Sequence, residues 1–240
     1  LASQTGSLDL STLQLTELPA ELQELTSLQN LDCSNTQVSH LEPLRGLTSF
    51  QNIDCSRTQV SDLEPLRGLT SLQELDCSRT QVSTLAPLQD LANLQNLNCC
   101  NTQVRDLEPL RGLHSLLVVN CGGTQVSDLE PLQALASLED LRCSHTQVSD
   151  LKPLQDFANL VELGCSSTQV SDLTPLQDLV DLHSLYCSNT QLSSGDLEPL
   201  RGLANLQVLT FSYTQVSDLM PLQGLTRLQV IDCSSTKVSN

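Results

Sequence analysis

Eight cysteines stand 22 residues apart: Cys33, Cys55, Cys77, Cys99, Cys121, Cys143, Cys165 and Cys187. The next such slot holds Phe211, 24 residues on, and Cys233 follows after another 22. Backwards, Leu10 lies 23 residues before Cys33. Eleven units therefore fill the chain, with no linker between them. This periodicity restricts the fold more than any other feature. A unit so short cannot bury its own apolar residues, so successive units must stack and share one core.

The unit at 72–93 reads "LQELDCSRTQVSTLAPLQDLAN". With Leu72 as position 1, positions 1, 4, 6, 9 and 11 are Leu, Leu, Cys, Thr and Val. Positions 14, 17 and 20 are Leu, and position 16 is Pro. Positions 4 and 6 alternate with polar neighbours, which predicts a strand of about three to five residues with one buried face. The spacing of three at 14/17/20 suits a short 3₁₀ or extended turn rather than a long helix. Asp at position 13 (Asp62, Asp106, Asp128, Asp150, Asp172) can cap that turn, and the proline falls where no N–H is needed. Glu42, Glu64, Glu108 and Glu198 at position 15, each three residues before an arginine, suit local ion pairs.

The pattern L-x-x-L-x-[L/C]-x-x-[N/T]-x-[L/V] at period 22 is the leucine-rich-repeat signature. "TQVSDLEPLRGLTSLQEL"-type units resemble the repeats of bacterial internalin-type proteins, with Thr where those usually carry Asn. The first unit, "LDLSTLQLTELPAELQEL" (8–25), resembles the repeat that opens the leucine-rich arm of bacterial Roco proteins, multidomain GTPases. These resemblances imply a leucine-rich-repeat solenoid over residues 1–240, a horseshoe of the α/β type. It would carry a parallel sheet on the concave face and short 3₁₀ or irregular segments on the convex face. They also imply a protein-interaction scaffold, either a regulatory arm whose partner is the GTPase portion of a parent chain, or a secreted internalin-like adhesin or effector.

Composition narrows the partner. Asp and Glu number 28 against 11 Lys and Arg, a net charge of −17. Such a chain repels phosphate backbones and anionic membrane surfaces, so nucleic acid and membrane are not expected partners. No apolar run approaches the ~20 residues that span a bilayer. No Walker, G-x-S-x-G, H-E-x-x-H or C-x-x-C motif occurs, so neither catalysis nor a cofactor is expected.

The cysteine at position 6 has four readings. Disulfides need converging Cβ vectors, and parallel side chains one strand apart do not converge. Zinc needs four ligands around a point, and a row is linear. A reactive thiolate needs exposure and a basic neighbour. The fourth reading, small apolar filler in a buried ladder, suits the residue best. Cys100, at position 7, is expected to be partly exposed. Ten unpaired thiols point to a reducing cytoplasm. The threonines at position 9 (Thr36 through Thr236) read as a structural ladder fastening adjacent turns.

Recognition is expected at the outward positions 3, 5, 7 and 8, where letters vary between units. The N-terminal half carries Asp32, Asp54 and Asp76 at position 5, flanked by Arg57 and Arg79. The two arginines and solvent could simply neutralise this column, or it forms an acidic patch for a basic partner; a Ca²⁺ site lacks converging oxygens. The C-terminal half carries Arg142, His145, His183, Tyr186 and Tyr213. Tyrosine and arginine dominate protein–protein hot spots, so this half is the expected binding site. Against that, Tyr213 could only cover Phe211, and Gly164 could leave an idle gap. The chain ends on "DCSSTKVSN" directly after a repeat strand, without a polar closing segment, so it is expected to be a piece of a longer protein. Oligomeric state is not legible.

Overall fold

A computed structural model describes residues 6–238. Eleven three-residue strands, from β1 (Ser7–Asp9) to β11 (Val230–Asp232), form one parallel sheet in strict chain order. Register is set by the repeat itself: Leu31 pairs with Ile53 and Ile53 with Leu75, position 4 upon position 4. Each strand occupies positions 3–5, as the alternation predicts.

Chain returning from one strand to the next passes through a 3₁₀ turn such as Glu64–Leu66, with Pro65 inside it. The predicted cap is present: Asp62 Oδ1 accepts the N–H of Glu64 at 2.8 Å, and Asp106, Asp128, Asp150 and Asp172 repeat the bond. The expected ion pairs form too, for example Arg67 Nε to Glu64 Oε1 at 2.6 Å. Both groups are exposed, so each such pair adds only ~0.3–0.5 kcal/mol.

One apolar cluster runs the length of the stack, built from the leucines, the position 11 valines and the cysteines. Cys55 through Cys187 and Phe211 are fully buried. Cys33 and Cys187 donate weakly from Sγ to the carbonyls of Asp54 and Thr210 on the following strands. The two extra residues of the longer unit stay outside this core. They sit in a loop that closes on itself through Ser193 and Asp196, while Gln215 N–H still reaches Leu192 O at 2.9 Å.

Two expectations need correction. The threonines do not link adjacent units. Each hydroxyl donates to the position 6 carbonyl of its own unit, as Thr124 Oγ1 does to Cys121 O at 2.6 Å, and most also accept weakly from the N–H two residues on. The hydroxyl is too short to cross the inter-strand step of ~4.8 Å, so it fastens a single turn. Units are instead linked by backbone bonds, including a second ladder in which each position 10 N–H meets the position 11 carbonyl of the unit before, as in Gln103 to Val82 at 2.8 Å. Position 7 is also not an outward site, because Ser34, Ser56, Ser78 and Ser212 are buried. Cys100 at that position is half-buried, as expected.

Position 8 has one conformation throughout. Asn35, Arg57, Arg79, Asn101, His145, Ser167, Asn189, Tyr213 and Ser235 all have φ between 54° and 58°, and Gly123 has 67°. This left-handed corner ends each strand. It favours Gly and Asn, and it costs other side chains roughly 1–2 kcal/mol.

Candidate recognition surface on the sheet

Outward side chains of β1 to β7 (Asp140–Arg142) line an open trough of about 690 Å³. Asp32, Asp54, Asp76 and Arg142 face it together; His145, His183, Tyr186 and Tyr213 lie outside its lining.

The aspartates have a local duty that sequence reasoning missed. Oδ1 of Asp32, Asp54 and Asp76 accepts the N–H of Ser34, Ser56 and Ser78 at 2.8–2.9 Å, closing the corner after the strand. Asn98 and Asn120 do the same for Cys100 and Gly122. Repetition of Asp or Asn here is therefore explained by the fold. Arg57 and Arg79 do not neutralise the column: among the described residues neither forms an ion pair. The partner that does reach it is neutral, Asn98 Nδ2 donating to Asp76 Oδ2 at 2.8 Å.

Burial raises the Asp54 carboxyl above its ordinary pKa. The hydrogen bond from Ser56 opposes this, and Asp76 and Asp32 add to it. A carboxyl whose folded pKa is raised is penalised when ionised. Its contribution is favourable below the unfolded value of ~3.9 and is lost as pH rises through the folded value. The variant Asp54→Asn keeps the acceptor and removes the charge. Its stability relative to wild type, measured by urea denaturation, should therefore rise between about pH 4 and pH 7; a gap that is flat or falls with pH would refute the assignment.

From β7 onward the corner is closed differently. Ser166, Ser188 and Ser212 donate their N–H groups to the hydroxyls of Ser144, Ser166 and Ser188 on the preceding unit, at 3.1–3.2 Å. This serine ladder releases position 5 from capping, and there the chain carries Arg142, Gly164, Tyr186 and Thr210 in succession.

Arg142 bridges two strands. It pairs with Asp140 on its own strand at 2.9 Å and with Glu162 on β8 (Glu162–Gly164) at 3.0 Å. Both partners sit at position 3 and were not among the expected site residues, although their opposite charge beside an arginine was a usable signal. Burial works against the guanidinium charge, yet Asp140, Glu162 and Tyr186 together hold its pKa above the ordinary value. The glycine gap is not idle. A side chain begun at Gly164 would lie 3.8 Å from Arg142 Cγ, so the arginine stem occupies the space that glycine leaves. Tyr186, on β9 (Ser184–Tyr186), is half-buried and pairs in register with Thr210 of β10 (Val208–Thr210). Tyr213 stands at the left-handed corner after β10, 66% exposed, while Phe211 is fully buried without its help. His145 occupies the same corner two strands after Gly123's unit begins its turn, exposed and one unit beyond it. His183 does not belong to this face: it precedes the strand at position 2, with Nδ1 2.7 Å from Asp181 O.

Among the described residues, no group of three or more His, Cys, Asp or Glu could hold a metal ion. No helix among them is long and apolar enough to cross a membrane.

The family model for leucine-rich repeats in two copies matches residues 26–68, 70–112 and 92–134. Among solved structures, the chain is similar to the internalin InlF of Listeria monocytogenes, at 28% identity and TM-score 0.76, over 90% of this chain and 70% of that one. It is similar to the leucine-rich-repeat protein LIC12759 of Leptospira interrogans, at 25% identity and TM-score 0.88, over 94% and 59%. The fold is a leucine-rich-repeat solenoid. A further match, at 21% identity and TM-score 0.74 over 98% and 55%, is the functional domain of InlJ from Listeria monocytogenes, described as including a cysteine ladder. No match is found among curated proteins. Leucine-rich-repeat folds are typically scaffolds for binding other proteins, and this solenoid has the open sheet face that such binding uses.

Proposed function

We propose that this leucine-rich-repeat solenoid is a non-enzymatic protein-recognition arm whose main contact is the sheet face around Arg142, Tyr186 and Tyr213. The supporting observation is the change at position 5. Through β6 (Val118–Asn120) it carries capping residues that the fold requires. From β7 the serine ladder does that work, and the freed positions carry the residue types that anchor protein interfaces. Arg142 is held in place by two carboxylates and Tyr213 is presented in the open. His145 and the Asp32/Asp54/Asp76 trough flank this centre and suit basic groups on the partner's rim.

The test is direct. Tyr186→Ala with Tyr213→Ala should weaken a partner captured from the source cells by about tenfold or more, with unfolding unchanged. If affinity is unaffected, while Asp54→Ala with Asp76→Ala abolishes it, the contact lies in the acidic half instead.

The "LTELP" opening unit further supports a place in a bacterial Roco-type protein, working in a reducing cytoplasm, with the GTPase portion of the parent chain as partner. A GTP-binding motif in the same reading frame would carry this part of the proposal, and a frame without one would end it. The secreted, internalin-like alternative has the repeat similarity in its favour, and ten free cysteines against it.

A further inference from the structure

One flank of the solenoid is unlike the rest of its surface. Position 8 forms the corner after each strand, and positions 10 and 12 point outward from the extended segment that follows, while Thr and Val at 9 and 11 point in. Among the described residues these three columns contain no Asp or Glu, in a chain that has 28 of them. Position 10 is glutamine in every unit from Gln14 to Gln215, and every copy is exposed. Invariance at an exposed position is not needed for burial, and the exposed letters at position 8 vary freely in the same units. Gln81 Nε2 donates to Gln59 Oε1 at 2.7 Å, so neighbouring amides are within reach of one another and of a shared ligand. Position 12 is serine in most units.

Arg57, Arg79 and Arg105 lie on this flank in three successive units, all exposed. Among the described residues none of them forms an ion pair, whereas Arg45, Arg67, Arg111, Arg142 and Arg201 each pair with a carboxylate. The bordering carboxylates of Asp62 and Asp106 accept the backbone N–H groups of Glu64 and Glu108. Arg57 and Arg79 also both sit at φ 55°, where other units place Asn or Gly. The flank therefore keeps two like charges on adjacent units, in a backbone conformation that disfavours them, with no partner in the chain. Strain retained in this way marks a site held for another purpose.

We propose that this flank is a docking surface for a carboxylate-bearing polysaccharide, a polyuronate, running along the solenoid axis. Guanidinium groups pair bidentately with carboxylates. Primary amides and serine hydroxyls donate to and accept from sugar hydroxyls. The spacing also fits: a pyranose residue is about as long as the step between strands, roughly 4.8 Å, whereas an extended peptide advances only ~3.3 Å per residue. Units two to five of the flank hold no apolar or aromatic side chain, so they lack the buried anchor that a protein partner requires.

Calorimetric titration of the whole chain with an alginate oligosaccharide tests this. A neutral cello-oligosaccharide of equal length and an oligoglutamate peptide of equal charge are the comparators. The alginate oligomer should bind, more weakly as salt rises, and the neutral sugar should not. Arg57→Asn, Arg79→Asn and Arg105→Ser introduce residues that other units carry at those positions. Together they should weaken alginate binding by about tenfold or more and leave the melting temperature unchanged or higher. Tyr186→Ala with Tyr213→Ala should leave alginate binding intact, so this site and the sheet face stand or fall separately. The proposal is overturned by absence of alginate binding at low salt, by equal binding of oligoglutamate, by binding that survives the arginine changes, or by a fall in melting temperature that gives these arginines a structural role.

Discussion

In the native protein, at most two of the ten cysteines should react with a thiol reagent such as Ellman's reagent at mildly alkaline pH, and all ten should react after unfolding. Cys33, Cys55, Cys77, Cys99, Cys121, Cys143, Cys165 and Cys187 are buried and free; only Cys100 and Cys233 are half-buried. The reagent attacks the thiolate, and burial opposes that form. Burial is the leading cause that pushes Cys121 and Cys187 up to about 12, and for Cys33 the carboxylates of Asp54 and Asp32 add to it. The buried thiols should therefore label orders of magnitude more slowly than the same groups in urea, at a rate set by local opening of the stack. Two classes of thiol, resolved in one progress curve, would establish the cysteine column as core filler. Rapid labelling of five or more, or fewer than ten thiols titratable in urea without reductant, would mean that some are exposed or cross-linked.

Much of the architecture was legible because it repeats. Leu75 and Cys77 alternate with polar neighbours, and the strand is where that alternation places it. Asp62 and Pro65 mark the start of the 3₁₀ turn, and the cap bond is present. The chemistry within each corner was harder to read. Thr124 looks equally able to bond within its unit or across to the next, and only the coordinates show that it stays at home. Asp54 reads in sequence as a charged surface residue; its bond to Ser56 N–H depends on the left-handed corner at Arg57, which no single residue type announces. The same gap hid Asp140 and Glu162, because Arg142 meets them through a side-chain path that crosses Gly164. Periodicity specifies which side of the wall a residue faces, and it does not specify which neighbour a polar group will choose.

That distinction carries the functional account. Letters repeated in every buried slot build the scaffold, and letters that change on the sheet face from β7 onward carry recognition. The triple variant Arg142→Asn, Tyr186→Asn and Tyr213→Asn separates the two. Asn is already used at these positions, as Asn98 and Asn101 in the fifth unit. At position 5 it can cap the corner, and at φ 56° it is better suited than tyrosine. Stability should therefore hold or rise by up to about 1 kcal/mol. Partner binding should fall by two orders of magnitude or more, since each anchor in a protein interface is worth ~2 kcal/mol or more. The most direct measurement is of the partner's dissociation constant and the urea midpoint, side by side, for this variant and wild type. The account predicts lost binding with an unchanged or higher midpoint. Retained binding, or a midpoint that falls along with it, would contradict the account.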